Sequence, residues 1–559
     1  MFVRTKTSPN TKKIAVQLVE NERIGNKVKQ KVIRHFGNAL NQQEVEALTK
    51  LAINYKIELE NGKEQFLFDK DTIASLTLTK RPKVDDNTTL DVNLKNIKEE
   101  KRITLGIHEF YGSIFDDIGF NKALKNPARK KASVAILRDM VMARISMPAS
   151  KRQSVDMLQR EYDIHIDVNS VYRAMDYLDE EAIQKINKLA YKHTTGLIGE
   201  PVNVVFYDCT TLYFESFTED TLKQKGYSKD GKFNQVQVLL SIIVTQSGLP
   251  LGYELFEGNT FEGKTLENAL EKLKKTYQIE KVVFVADSGL LNKNNISLLE
   301  NDKQEYILGA RIKNVSAELT KEILDKDTYK PLYSNQENNE EEITYKEIIL
   351  EDKNQKLIVS YSPSRAQKDK YDREKALEQL GKRIGKNKNP KSLLSNYGYK
   401  KFIKVEGESK LVIDDDKIKE AQQWDGLHGI YTNIKNANPV DILKHYKGLW
   451  QVEETFRISK HDLSMRPIFH WTPKRIKSHI AICFMALVCV RIAEYRIALQ
   501  YKKLSPRAIK TALLGLQISI LKDHATNKIY ALPSRATQDA KKIYQLIGLK
   551  WTDTPYLVK

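Results

Sequence analysis

A chain of 559 residues with 41% hydrophobic content is long enough for three or four domains with real cores. Lys and Arg outnumber Asp and Glu by 91 to 72, a formal net charge of +19. That balance points to an anionic partner such as nucleic acid, a basic protein without one being the alternative. The three cysteines, Cys209, Cys483 and Cys489, form no Cys-x-x-Cys pair, which argues against a zinc ribbon or a disulfide framework.

The opening "MFVRTKTSPNTKK" has no apolar segment of the kind a signal peptide needs. Up to about residue 40 the chain is strongly basic, and the alternation in "KKIAVQLVE" and "KVKQKVIRHF" predicts a hairpin turning at residues 23–26. "NQQEVEALTKLAINYKIELE" reads as a helix. "TKRPKVDDNTTL" reads as a linker closing a basic region over residues 1–95, one that suits an anionic partner. Residues 96–196 carry a helical period. Within them, "SVDMLQREYDIHIDVNSVYRAMDYL" predicts two short helices around a turn, the second capped at Asn169 and Ser170. This is either a helix-turn-helix reader of DNA or plain helix packing.

At residue 201 the texture becomes β-branched and aromatic. "PVNVVFYDCTTLYFES" and "FNQVQVLLSIIVTQSGLPLGYELFEGN" predict three strands, the last two joined at Ser247 and Gly248. "KTLENALEKLKKTYQ" predicts a helix, "KVVFVADSGL" a buried strand and "EYILGARI" another. Residues 197–312 should therefore form a mixed α/β sheet, with Cys209 as buried filler. Residues 313–435 hold strand-like pieces and a charged helix, "RAQKDKYDREKALEQLGKRI". Its Lys368, Lys370, Arg373, Lys382 and Arg383 either contact phosphates or form a solvated face. Helical texture resumes at Asn438, an expected N-cap, and Pro439. "HIAICFMALVCVRIAEY" is too short to span a bilayer and is flanked by charge, so it reads as a buried helix of a cytoplasmic protein. In residues 501–559, "LSPRAIKTALLGLQISIL" predicts an apolar-faced helix for self-association or for packing onto the core.

Three carboxylates stand out. Asp208 closes "VNVVFYD", and Asp287 closes "VVFVAD" ahead of Ser288 and Gly289. Either alone would cap a turn. Two such aspartates at strand ends of one sheet repel unless a cation lies between them. Glu453, in "YKGLWQVEETFRISK", shares a helical face with Tyr446, Leu449, Phe456 and Lys460, a stripe expected to face the core. Glu454 next to it suits a solvated position better. An Asp–Asp–Glu trio suits two divalent ions held by hard oxygens, with Lys460 facing the same site as a point charge for phosphate.

At these residues the chain resembles the DDE transposases of bacterial insertion sequences, nearest to insertion-sequence family four and its sixteen-thirty-four-like relatives. That group's signature at the last acid runs Tyr, two residues, Arg, three residues, Glu, six residues, Lys. Tyr446, Glu453 and Lys460 stand at those steps. Leu449 takes the Arg place, with Lys447 or Arg457 as substitutes for its DNA contact. "FVRTKTSPNTKKIAVQLVE", "GYSKDGK", "GYELFEGNT", "ADSGL", "YILGARIK", "WDGLHGIYTN" and "RPIFHW" are similar as well, in order, over nearly the whole chain.

The resemblance implies an α/β ribonuclease-H-like catalytic core, with Asp208 on its first strand, Asp287 on its fourth and Glu453 on a helix. The core would occupy residues 197–312 and 436–500, be interrupted by a β-rich insertion domain over 313–435, and carry mainly helical N-terminal and C-terminal regions. The long gap between Asp287 and Glu453 independently leaves room for such an insertion. Asp208, Asp287 and Glu453 would be catalytic and would hold two Mg²⁺ (or Mn²⁺) ions. Lys460, Tyr446, Arg457 and Lys447 would contact DNA or its phosphates. The implied enzyme binds the terminal inverted repeats of its element as double-stranded DNA, cuts there, and joins the 3′-hydroxyl ends to target DNA. It would act as a homodimer in a synaptic complex, in the bacterial cytoplasm at the nucleoid. A nuclease without strand transfer and an inactive DNA-binding relic are the alternatives.

Overall fold

The computed structural model describes residues 2–7, 14–24, 27–39, 92–199, 202–226, 234–275, 282–332, 343–384, 401–406 and 410–558, with isolated positions at 45, 49, 52, 90, 277 and 279. The helix expected after residue 40, the linker before residue 95 and most of "GYSKDGK" lie outside the described residues. The first described segments form an antiparallel three-stranded sheet of β1 (Phe2–Thr7), β2 (Ile14–Ile24) and β3 (Lys27–Ala39). The hairpin stands where alternation predicts it, Ile24 pairing with Lys27. The described start of the chain is thus strand, not helix, because period-2 alternation sets the backbone there.

After β4 (Ile97–Thr104) come five helices, Gly106–Ile118, Lys131–Ser146, Lys151–Tyr162, Val168–Asp176 and Glu180–Ile198. The expected pair of short helices is present, but the second is capped by Asp167 rather than by Asn169 and Ser170. The Asp167 carboxylate accepts the Ser170 backbone N–H at 3.0 Å, which leaves Asn169 and Ser170 inside the first turn. Val171, Ala174 and Met175 of this helix are fully buried.

The central sheet has nine strands. β5 (Val204–Tyr213), β6 (Gln237–Thr245) and β7 (Pro250–Glu257) form an antiparallel meander, and β8 (Val283–Ala286) and β9 (Glu305–Ala310) add in parallel on the other side of β5. Every residue of β6 is buried, as expected for a strand covered on both faces. This mixed order fits the ribonuclease-H-like core. Beyond β9 the sheet continues through strands of the expected insertion. β10 (Lys330–Pro331), β11 (Thr344–Leu350) and β12 (Gln355–Tyr361) are followed by a separate hairpin, β13 (Ile403–Glu406) with β14 (Lys410–Ile413), and then by β15 (Leu427–Thr432). The order is β10-β11-β12-β15-β9-β8-β5-β6-β7. Of the strands in 313–435, β10, β11, β12 and β15 therefore extend the core sheet, while β13 and β14 pair only with each other. β9 would otherwise present an unpaired edge, which β15 covers by antiparallel pairing.

The apolar run near residue 480 belongs to a 28-residue helix, Pro473–Gln500, in which every residue from 478 to 493 is buried. It is long and apolar enough to cross a membrane, yet 94% of its most apolar window is buried inside the protein. All three cysteines are free and buried, and burial pushes the Cys209 thiol up to about 12. The C-terminal region departs from the helical expectation. Only Pro506–Leu514 of "LSPRAIKTALLGLQISIL" is helix. "QISILKD" is β16 (Gln517–Asp523), which pairs with β17 (Ile529–Pro533) and with β4, while β18 (Tyr556–Leu557) closes a four-stranded sheet. Gly515, just past the helix, ends the helical period, and β4 supplies a partner from about 400 residues away.

Candidate active site

Asp208 is not at the end of a strand, since β5 runs on to Tyr213. It sits where β5 loses one neighbour. The parallel register of β5 with β8 ends at Tyr207 opposite Ala286, so Asp208 and Asp287 are the next residues of two adjacent parallel chains. Partners in register point to the same face of a sheet, so the two carboxylates emerge side by side. Each is oriented by the same local device, its Oδ1 accepting the backbone N–H of the next residue. The lengths are 2.7 Å from Cys209 and 2.5 Å from Ser288. Asp287 also caps the short 3-10 helix Ser288–Leu290, so turn capping and site position coincide in one residue.

The Glu453 segment lies on that same face. "YKGLWQVEETFRISK" is not one helix but two, Pro439–Lys447 and Trp450–Arg457, followed by a π turn at Ile458–Asp462. The first is capped by Asn438 with Pro439 at its start, as expected. The break at Gly448 has a steric cause. A Cβ there would stand 2.5 Å from the Phe206 ring, and Phe206 is two residues from Asp208 on one face of β5. Glycine lets the helix pair settle onto that strand. The buried stripe keeps its helical spacing through the break but runs through Val452 rather than Glu453. Leu449, Val452, Thr455, Phe456 and Ser459 are buried, whereas Glu453 is exposed. The expectation that Glu453 faces the core is corrected accordingly: it borders the buried stripe, where its carboxylate keeps its water.

Tyr446 lies within electrostatic reach of all three acids. Its ring meets the His428 ring edge-on at 4.9 Å, and its hydroxyl fills the space left by Gly309 of β9, where a Cβ would stand 2.5 Å from it. Burial pushes the phenol well above its usual range. The charges of Asp287, Glu453 and Asp208 act in the same direction and that of Arg365 against them. Burial likewise lowers His428, helped by Arg365 and opposed by the Gly429 carbonyl and Asp287. His428 and Gly309 are thus neighbours of Tyr446 that sequence reading did not single out, and the Arg365 charge acts on both Tyr446 and His428. His428 stands in "WDGLHGIYTN", but nothing in spacing alone ties it, or Arg365 in "SPSRAQK", to the aspartates.

The other expected residues divide. Lys460 lies on the π turn and is half-buried, and Lys447 is exposed at its helix end. Arg457 is engaged internally, donating to both oxygens of Glu454 at 2.7 Å and lying 3.4 Å from Asp462. Glu454 therefore has a partner, whereas the Glu453 carboxylate has no hydrogen bond or ion pair among the described residues. Leu449, at the family's Arg step, is buried in the core. Arg373 of the basic helix Pro363–Ile384 forms a bidentate pair with Asp425 at 2.6 and 2.7 Å and is itself buried, so it secures the helix rather than meeting phosphate.

In chemical kind the donor set fits a divalent cation, since Asp208 and Asp287 offer adjacent hard oxygens whose mutual repulsion a cation would offset. Glu453 is not drawn in with them. Among the described residues, no three His, Cys, Asp or Glu side chains are gathered closely enough to hold a metal ion.

Comparison with known proteins gives one broad match. The family described as Transposase DDE domain matches residues 203–489, from the start of β5 into the long buried helix and so across all three acids. Among the solved structures that match, two illustrate the distance of the likeness. The piggyBac transposase synaptic complex with hairpin DNA is 10% identical, with 67% of this chain and 68% of that chain covered and a TM-score of 0.35. The Mos1 transposase paired-end complex with left transposon end is 14% identical, with 28% and 53% covered and a TM-score of 0.14. Neither likeness is close enough to carry an inference about this chain. No curated protein sequence matches. The family match covers more than half of the 559 residues, and the chain belongs to the transposase DDE-domain family.

Proposed function

We propose that this transposase binds the terminal inverted repeats of a mobile element, cleaves the DNA at their ends, and joins the freed 3′-hydroxyls to target DNA. In this reading it is an insertion-sequence enzyme of family four, sixteen-thirty-four-like branch, that acts as a homodimer on paired ends. What supports the reading is the parallel register of β5 and β8, in which Asp208 and Asp287 each directly follow the last paired position, Tyr207 opposite Ala286. Asp208, Asp287 and Glu453 would hold Mg²⁺ or Mn²⁺. When bound, two such ions supply Lewis-acid charge to the attacking and leaving oxygens of phosphodiester cleavage.

The chain's own residues do the rest. Asp208 and Asp287 hold fixed orientations through the amides of Cys209 and Ser288. Tyr446, wedged over Gly309, positions the helix pair that carries Glu453. Lys460 and Lys447 would approach the DNA backbone as point charges. The basic β1–β3 region would read the repeats.

The test is incubation of the full chain with Mg²⁺ and DNA carrying the flanking ends of its own gene, beside single-site variants. Asp208→Asn, Asp287→Asn and Glu453→Gln should each lower cleavage by on the order of 10³-fold, and Glu454→Gln should leave it largely intact. Normal cutting by Glu453→Gln, or no cutting by the wild type, would sink the assignment. Cleaved ends that never join to target DNA would favour the nuclease reading instead.

A further inference from the structure

A cavity of about 340 Å³ lies between the start of the Lys151–Tyr162 helix and the segment around residues 464–470. Among the described residues no Asp or Glu lines it, whereas Arg144, Lys151, Arg152, Arg466, His470 and His479 do. Arg144 and Lys151 are each only 5% exposed. The Arg144 guanidinium donates to the carbonyls of Ala149 at 3.0 Å and Ser464 at 3.5 Å. The His479 Nε2–H donates to the Met465 carbonyl at 3.2 Å, which leaves Nδ1 to accept from the Lys151 ammonium at 3.4 Å. Both buried cations therefore rest on neutral groups. Burial first, then the charges of Lys151 and Arg144, bring His470 down to about 3 and hold His479 well below its usual range. Burial and Arg144 bring Lys151 down to about 7.

Two cations in one cavity wall without a carboxylate are unfavourable until an anion enters. The geometry suits one in a second way. The Lys151–Tyr162 helix has 12 residues and begins at this cavity with Ser150 as its cap, so the first-turn amides add partial positive charge. At the rim, Phe469 is 64% exposed, an uncovered aromatic face of the kind on which a base stacks. The cavity is tied to the sheet that bears the acids. Arg466 lies over the Tyr213 ring at 5.1 Å, and Ile468 bridges to Phe214 just past β5. Tyr213 is about 16 Å along the strand from Asp208 at the usual rise per residue.

We propose that this cavity seats one backbone phosphate of a DNA strand, with the adjoining base stacked on Phe469, away from the carboxylates. The inference rests on the reading of the chain as a DNA-processing enzyme. Full-length wild type, Lys151→Met and Phe469→Ala test it in two assays. Thermal melting is followed with and without inorganic phosphate, and anisotropy of labelled element-end DNA with a single-stranded overhang is followed against salt. Phosphate should raise the melting temperature of the wild type and of Phe469→Ala but not of Lys151→Met. Lys151→Met should bind DNA about tenfold more weakly with a salt slope smaller by about one. Phe469→Ala, an exposed change that leaves the fold alone, should lose about fivefold or more in DNA affinity. Stabilisation by phosphate with DNA binding unchanged in both variants would mean a free-anion site and overturn the proposal. So would a folded Lys151→Met with unchanged slope that cuts element ends like the wild type, an outcome that leaves the transposase reading standing. Absence of any DNA binding by the wild type overturns both.

Discussion

At the scale of single residues, the site depends on where glycine makes room and where charge is paired. Gly309→Ala would drive a methyl into the Tyr446 hydroxyl and toward the Ser288 amide, at 2.5 and 2.9 Å. The expected outcome is a folded protein with a disordered site, in which cleavage falls by more than tenfold while the melting temperature moves little. Arg373→Ala should do the opposite. It leaves Asp425 without its bidentate partner, which costs about 3 kcal/mol of stability in denaturant unfolding, while DNA affinity per folded molecule stays the same. Lys151 gives a pH signature. Its folded value, about 7, lies below its unfolded one, so the folded state holds fewer protons between pH 7 and about 10.5. In that window the Lys151 contribution to stability rises with pH, and it is lost as pH falls through 7. Lys151→Met should accordingly gain most over wild type near pH 6, with the gain shrinking toward pH 10, in phosphate-free denaturation curves.

At the scale of elements, the break at Gly448 sets the site. Gly448→Val puts a branched side chain where a single Cβ already meets the Phe206 ring at 2.5 Å. It should lower stability by about 2 kcal/mol through overpacking and move the Glu453 helix off β5, so that Mg²⁺-dependent cleavage falls further than stability accounts for. Much of this was legible beforehand. The order of strands from β5 to β9, the Asn438 cap and the two aspartates follow from alternation, apolar runs and turn residues, which are local signals. The phase of the Glu453 helix was not legible. A helical wheel lets either Val452 or Glu453 follow Leu449 on the stripe, three or four residues on, and only packing against the core selects Val452. The strand at Gln517–Asp523 was missed for a related reason, since "LQISIL" is apolar in either period until β4 supplies its partner.

Across the whole molecule, distant segments complete one another's sheets. β4 lies before the helical region, yet it pairs with β16 near the other end of the chain, and Ile509, Leu513, Ile543, Tyr544 and Trp551 join the main apolar core. Deletion of residues 501–559 should therefore leave β4 unpaired and the long buried helix partly uncovered. Loss of cooperative unfolding and aggregation in gel filtration are the expected results, whereas a monodisperse truncated chain with an unchanged melting curve would contradict the packing. The net charge of +19 acts at the same scale. Affinity for DNA should fall by about 10³-fold between roughly 50 and 200 mM salt if several phosphates are contacted.

The sequence by itself determined the chain's own positive charge, the mixed sheet, and the identity of three acids in a spacing similar to one enzyme family. These are carried by composition, by period and by residue type, which a chain displays without folding. Only the tertiary structure decided that β10, β11, β12 and β15 extend the central sheet, that Arg373 pairs with Asp425, and that Tyr446 packs against His428 and Gly309. Each of those facts joins residues far apart in the chain, and burial, strand register and ion-pair geometry exist only once the chain has folded.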